Sequence, residues 1–153
     1  MLIPSIPPLI LLLALTGLVN SFYFTFAYYG RVKKSRWIPE ILCAREGSSC
    51  VTVVQTPYAR VFGVPNSLLG IVYYLAVIVW TLGGRRIRSL GVHLGSLFVG
   101  STALLIVAGV VSVLLGFYLV YALRCRLRVD CPLCYTAHAI NVTLLALVIV
   151  LAF

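Results

Sequence analysis

Four long apolar stretches, separated by more polar connections, constrain this chain more than any other feature. They run from about 8 to 29, 67 to 82, 92 to 123 and 133 to 153. A helix needs roughly 17–25 apolar residues to cross the hydrocarbon of a bilayer, and each stretch is near or above that length. The chain is 62% hydrophobic and 10% charged, with a mean hydropathy of +1.11, which excludes a soluble globular domain. We therefore predict an all-α membrane protein, one domain over 1–153 forming a bundle of four transmembrane helices.

The long connection over 30–66 is too apolar for a disordered linker. Loops of this length in a compact domain are usually functional. We expect it to fold as a cap over the helix ends, with a short helix or helical turn between Cys50 and Phe62. With four spans, this loop and the connection over 124–130 lie on the same face. That face carries all the cysteines, which are Cys43, Cys50, Cys125, Cys131 and Cys134.

A C-x-x-C motif opens the last apolar stretch. Pro132 suits the first position of a helix, so Cys131 falls near the N-cap. Backbone N–H groups and the helix dipole stabilise a thiolate there. Three interpretations of the clustered cysteines stay open: a structural disulfide framework, a zinc site, and a thiol–disulfide relay from a loop pair to the helix-start pair. The spacing lacks a zinc-knuckle pattern, and adjacent C-x-x-C thiols favour the relay.

Polar residues follow the motif along one face of the fourth helix. Cys131, Cys134, His138 and Asn141 are spaced by three, four and three residues, which places them on one helical face. Polar side chains inside a span generally face the bundle interior or a cavity. His138 and Asn141 either join helices by hydrogen bonds or line a pocket for a lipid-soluble electron acceptor such as a quinone. Leu69, Tyr73 and Tyr74 are further candidates to line such a pocket.

Several motifs resemble the vitamin K epoxide reductase family. They are the pair Cys43 and Cys50, the segments Thr56–Gly63 and Asn66–Gly70, and the C-x-x-C with Ala139–Asn141. The resemblance spans roughly Leu42 to Val142. It implies a four-helix bundle around a quinone, of menaquinone, ubiquinone or vitamin K type, with the loop as a lid and no metal.

The resemblance also implies roles for individual residues. Cys134 would face the quinone, Cys131 would exchange with Cys50, and Cys43 would meet the external protein. Asn66 matches a donor to a quinone oxygen, and Thr56 and Ser67 match supporting positions near the active cysteines. His138 stands where some members carry a tyrosine near the quinone. No fused thioredoxin-like domain is recognised, which implies a separate thioredoxin-like partner. Cys125 lies outside this scheme, and we expect a partly buried thiol at a helix end.

The basic residues predict how the bundle is oriented. The chain has 12 Lys and Arg against 3 acidic residues. They cluster at span ends, which favours contact with lipid headgroups over nucleic-acid binding. The cysteine face carries Arg31, Lys33, Lys34, Arg36, Arg45, Arg60, Arg124, Arg126 and Arg128, and the opposite face carries Arg85, Arg86 and Arg88. The positive-inside rule therefore predicts a cytoplasmic active-site face, inverted relative to most relatives. A cytoplasmic oxidase suits organisms whose intracellular proteins are rich in disulfides.

Three functions are consistent with these patterns. The first is a membrane thiol:quinone oxidoreductase that takes electrons from a thioredoxin-like partner and drives disulfide formation. The second is a vitamin K quinone or epoxide reductase, which would use the same relay. The third, of a different class, is a non-enzymatic membrane bundle with structural cysteines or a metal site.

Overall fold

The chain folds as a bundle of four long helices with a small cap at one end. The computed structural model describes residues 6–31, 49–61, 63–90 and 95–152. In chain order its helices are α1 (Ile6–Tyr28), α2 (Ser49–Gln55), α3 (Asn66–Leu90), α4 (Gly95–Tyr121) and α5 (Pro132–Ala152).

Each of the four long helices, with α4 taken together with the π-helical residues Ala122–Leu127 that continue it, contains a segment that is long and apolar enough to cross a membrane. These segments are Ile6–Tyr28, Asn66–Gly83, Gly100–Leu127 and Pro132–Ala152. The prediction of an all-α bundle with four spans is confirmed. The predicted third and fourth spans also include residues 92–94 and 153, which lie outside the described residues.

The described part of the long loop forms the cap. The predicted short helix is present as α2, followed by a 3₁₀ turn over Pro57–Ala59. A two-stranded antiparallel hairpin, β1 (Arg60–Val61) and β2 (Val64–Pro65), then leads into α3. Gly63 in the hairpin turn has a φ of 82°, a left-handed conformation that glycine adopts without steric cost. The hairpin was not predicted from the sequence. Residues 32–48, which include Cys43, lie outside the described residues.

Two buried clusters fill the bundle. The first lies along the middle of the helices and consists of Ile10, Ala14, Tyr73, Tyr74, Val77, Trp80, Leu105, Ile140, Leu144 and Val148. The second lies at the capped end and consists of Phe24, Ala27, Val53, Val54, Leu119, Leu123, Cys131 and Cys134. Many large apolar side chains point outward instead, for example Val79 at 68% and Leu104 at 70% exposure. Such a surface is stable in lipid, because acyl chains are as apolar as the side chains they contact.

The end of α4 departs from regular α-helical geometry. Residues Ala122–Leu127 form a π-helical segment, and Arg128 follows in the left-handed region with φ 52° and ψ 43°. The backbone N–H of Val129 donates to the carbonyl of Leu123 at 3.1 Å, which closes the helix end. The chain then turns directly into the C-x-x-C motif, so this helix end determines where α5 begins.

Candidate active site

The C-x-x-C pair occupies the first turn of α5, as predicted. Pro132 is the first residue of α5, and Cys131 immediately precedes it. The backbone N–H of Cys134 donates to the carbonyl oxygen of Cys131 at 3.0 Å and also to its Sγ at 3.4 Å. The sulfur of Cys131 therefore accepts in the way that an N-cap oxygen does in other helices. Cys131 is completely buried, and Cys134 is 4% exposed.

The surroundings of Cys131 favour its thiolate. The hydrogen bond from the Cys134 thiol has the largest influence on the pKa of Cys131 and lowers it below its ordinary value. Burial acts in the opposite direction, while the backbone N–H groups of Cys134 and Leu133 add to the lowering. Hydrogen bonds to the charged form stabilise that form, so the arrangement yields a sulfur that is a good nucleophile and a good leaving group.

Cys134 lies in the wall of a pocket that encloses about 680 Å³ of space, measured out to its open side. All five helices contribute to the walls, together with the cap. The lining residues are Ser21, Phe24, Val53, Val54, Ala59, Pro65, Asn66, Ser67, Gly70, Tyr74, Ser112, Leu119, Cys134, Ala137, His138 and Asn141. A mostly apolar wall with a few polar groups suits an apolar ligand that carries a small number of oxygen atoms.

His138 presents two hydrogen-bonding atoms that no described residue satisfies. Both Nδ1 and Nε2 are buried and lack a hydrogen-bond partner within the described part of the chain. The imidazole packs against α4 at Gly116, where a methyl group would lie 2.6 Å from Nδ1. Buried polar atoms without partners are rare, and they are often found where a ligand is bound. His138 is therefore the clearest polar contact point for a pocket ligand.

A network of polar side chains connects the helices on the inner side of the pocket. The hydroxyl of Tyr74 donates to Oδ1 of Asn141 at 2.7 Å, and the amide of Asn141 faces Oγ of Ser112 at 3.5 Å. The Tyr74 ring lies against Gly17, where a Cβ atom would overlap it. This network joins α1, α3, α4 and α5, so Asn141 combines helix joining with pocket lining.

The residues at the start of α3 form another part of the wall. Asn66 and Ser67 both line the pocket, and Oγ of Ser67 accepts a hydrogen bond from the Thr25 hydroxyl at 3.0 Å. Thr56 lies nearby in sequence but not in the wall. Its hydroxyl donates to the carbonyl of Val53 at 2.7 Å and so stabilises the end of α2.

Two predicted pocket residues lie elsewhere. Leu69 is 41% exposed on the outer side of α3, and Tyr73 is buried in the middle cluster, with its hydroxyl close to Gly109. The neighbouring Tyr74 lines the pocket instead. One residue along a helix turns a side chain by about 100°. Tyr73 accordingly points toward Gly109 on α4, whereas Tyr74 points toward Gly17 on α1 and lines the pocket.

The loop cysteines are less completely described. Cys43 lies outside the described residues. Cys50 belongs to α2, whose Val53 and Val54 line the pocket and pack with Cys131 and Cys134. The helix that carries Cys50 therefore contributes to the same buried cluster as the redox pair.

Cys125 differs from its expected environment. It is exposed in the π-helical segment rather than partly buried, and it does not line the pocket. The π-helical geometry, which no feature of the sequence predicted, determines where its side chain points.

Some functional residues were missed at the level of sequence. Ser21 and Ser112 line the pocket, and Asn20 donates from its amide nitrogen to the carbonyl of Leu133 inside the C-x-x-C motif at 3.1 Å. A signal was present, because an asparagine in an apolar span is costly and usually faces a partner. Its partner, however, is 113 residues away in the chain.

Comparison with protein families identifies a relationship for this chain. The chain matches the model of the vitamin K epoxide reductase family over residues 8–149, which is most of its length. Comparison with curated proteins gives no match.

Proposed function

The chain belongs to the vitamin K epoxide reductase family and is an integral, multi-pass membrane oxidoreductase of the quinone and thiol type; on that premise we propose a specific electron path. Electrons enter from a thioredoxin-like partner, pass through Cys43 and Cys50 to Cys131 and Cys134, and leave on a quinone. The net result is disulfide formation in other proteins.

One observation carries the proposal: the two sulfurs of the motif differ in their surroundings. Cys134 lines the pocket and Cys131 does not, although both belong to the buried cluster that contains Val53 and Val54 of the helix that carries Cys50. A structural disulfide has no need of such a difference. A relay does, because one sulfur must meet the acceptor and the other must meet the loop pair.

The proposed steps balance in electrons and protons. The partner's dithiol reduces the Cys43–Cys50 disulfide and becomes a disulfide itself. The Cys50 thiolate then attacks Cys131 of the oxidised motif, the Cys131–Cys134 bond breaks, and Cys134 leaves as a thiolate that takes up a proton. Cys43 next attacks Cys50 and releases Cys131, whose thiolate is stabilised by the hydrogen bonds described above. The reduced motif then gives two electrons to the quinone substrate, and the Cys131–Cys134 disulfide forms again. Of the two protons that the quinol needs, one comes from the Cys134 thiol and the other is the proton that Cys43 released to its surroundings.

The pocket residues fit a quinone. Its apolar wall suits the ring, and the unpartnered nitrogens of His138 supply a hydrogen bond to a carbonyl oxygen. Asn66, in the wall at the start of α3, is the proposed donor to the other oxygen. Ser67 and Thr56 support the wall and the cap, and Asn141 holds Tyr74 in place.

Vitamin K quinone or epoxide reduction is the alternative use of the same relay. A non-enzymatic bundle with structural cysteines or a metal site is the third candidate. These candidates predict different products in an assay of the purified protein. They also predict different effects of a Cys134 substitution on folding.

The experiment is an anaerobic assay of purified protein with a reduced thioredoxin-like protein and a menaquinone analogue. Parallel arms contain vitamin K epoxide, and metal content is measured on the same sample. We expect quinol to form in step with oxidation of the partner, and Cys134→Ser to stop it while the protein keeps its helical content. Cys125→Ser is the matched control, since this exposed thiol lies outside the pocket. Turnover with the epoxide alone would establish the alternative reaction. Loss of folding in Cys134→Ser, or bound zinc with no turnover, would favour the structural class.

We further propose that the active-site face is cytoplasmic, as the positive-inside rule indicates. Described members of the basic set on that face are Arg31, Arg60, Arg124, Arg126 and Arg128, all of them exposed at the capped end of the bundle. The partner would then be a cytoplasmic protein.

A further inference from the structure

Asn20 contacts the redox motif from a different helix. Its side-chain nitrogen, on α1, donates to the carbonyl oxygen of Leu133, the residue between Pro132 and Cys134, at 3.1 Å. Because a carbonyl oxygen can only accept, the nitrogen of the amide must be the atom that faces it. Asn20 therefore donates a hydrogen bond to the backbone of the C-x-x-C motif.

The same peptide unit bears the hydrogen bond to the reactive sulfur. The carbonyl of Leu133 and the N–H of Cys134 belong to one amide group. That N–H donates to Sγ of Cys131 at 3.4 Å. A hydrogen bond accepted by the oxygen of an amide polarises the group and makes its N–H a stronger donor. Asn20 is thus linked to Cys131 through a single peptide unit.

Nothing else in the described part of the chain explains why an asparagine occupies this position. Its Oδ1 is buried and, among the described residues, receives no hydrogen bond. A buried acceptor without a partner destabilises the fold, so packing alone would favour a leucine of similar size. Within the described ranges only the amide nitrogen of Asn20 forms a hydrogen bond, and its acceptor belongs to the C-x-x-C motif.

We propose that Asn20 is a positioning residue of the redox pair, which acts through the Leu133–Cys134 peptide unit to stabilise Cys131 as a thiolate. Its catalytic consequence rests on the proposed relay, in which Cys131 must leave from the mixed disulfide with Cys50. A better stabilised leaving group speeds that step.

The test compares Asn20→Leu and Asn20→Ser with the parent chain. Neither variant places an amide donor at Leu133, and the two differ in polarity, so one remains informative if the other folds poorly. Thr16→Val is the matched control, because Thr16 lies one turn earlier on α1 and its hydroxyl bonds only locally, to the carbonyl of Leu12 at 2.9 Å. Two properties are measured. The first is the ultraviolet titration of the Cys131 thiolate, in chains whose other cysteines are serine. The second is the equilibrium of the Cys131–Cys134 pair with glutathione, in chains that lack Cys43 and Cys50.

Cooperativity strengthens a hydrogen bond by about 10–30%. Loss of this strengthening at the Cys131 thiolate changes its acid dissociation constant by roughly 1.5- to 4-fold. We therefore expect the titration midpoint to rise by about 0.2–0.6 pH units. The equilibrium constant for reduction of the pair should fall by the same factor. Both Asn20 variants should show these changes, and Thr16→Val neither.

An unchanged midpoint in both Asn20 variants, or an equal shift in Thr16→Val, would overturn the assignment. The outcomes also separate this role from the relay itself. A shifted titration in a protein that does not reduce quinone would retain the Asn20 contact and refute the relay. Quinone turnover in Asn20 variants whose titration midpoint is unchanged would retain the relay and refute the role of Asn20.

Discussion

Gly17→Ala tests whether the close approach of α1 and α3 positions the inner side of the pocket. A methyl group at position 17 overlaps the ring of Tyr74, which is 2% exposed and lines the pocket. The ring must move, and its hydroxyl then leaves Oδ1 of Asn141, which it now meets at 2.7 Å. One substitution on α1 therefore disturbs three helices.

The expected change in the free energy of unfolding has two destabilising contributions and one stabilising contribution. Overpacking a filled interior costs about 1–3 kcal/mol. Loss of a hydrogen bond between membrane helices adds about 0.6–1.7 kcal/mol. Alanine in place of glycine gains up to about 1 kcal/mol of helix propensity. Gly100→Ala is the control for this gain in helix propensity, because nothing lies within 4 Å of a Cβ at position 100 and no overlap is introduced. The difference in unfolding free energy between the two variants should therefore be about 1.6–4.7 kcal/mol.

The assay is reversible unfolding in mixed micelles of denaturing and mild detergent, followed by circular dichroism. A double-mutant cycle with Tyr74→Leu adds a second check. Gly17→Ala should cost much less when the ring is absent, because residues in direct contact are not additive. If Gly17→Ala and Gly100→Ala had equal stability, or if the cycle were additive, the packing described here would be incorrect.

Three other predictions concern the relay. His138→Leu should not lower stability, because both ring nitrogens are buried without partners among the described residues and a buried polar atom without a partner is unfavourable. It should raise the KM for quinone about 5- to 10-fold, the value of one hydrogen bond, and an unchanged KM in steady-state kinetics would remove His138 from the quinone site. Cys134→Ala should trap a mixed disulfide between Cys50 and Cys131, because the resolving thiol is gone; peptide mapping that finds Cys43 joined to Cys131 would reverse the loop assignment. Alkaline phosphatase fused after Phe153 should be active, since a cytoplasmic cysteine face places the C-terminus outside; a silent phosphatase together with a bright fluorescent-protein fusion would contradict the inverted orientation.

The sequence by itself determined those features that depend on local chemistry. Span length and hydropathy are sufficient to place four helices in a bilayer, because the cost of exposing backbone or charge to lipid exceeds any packing term. The position of the reactive pair at a helix start was also predictable locally, from Pro132 and the cysteines on either side of it. The reason is that the N–H groups of the first helical turn are unsatisfied and can stabilise a thiolate. The spacing of Cys134, His138 and Asn141 also placed them correctly on a single face, since helical periodicity is regular within one helix.

The tertiary structure alone decided which faces of different helices meet. Hydropathy does not indicate the rotation of a helix that is apolar on all sides, so the sequence could not choose Tyr74 over Tyr73 and Leu69 as a pocket residue. Ser21 and Ser112 became pocket residues only when α1 and α4 packed around α5. The contact from Asn20 to Leu133 joins residues 113 positions apart, and it depends on how α1 lies against the first turn of α5. Side-chain packing between helices sets these rotations, and it is a property of the assembled bundle rather than of any one segment.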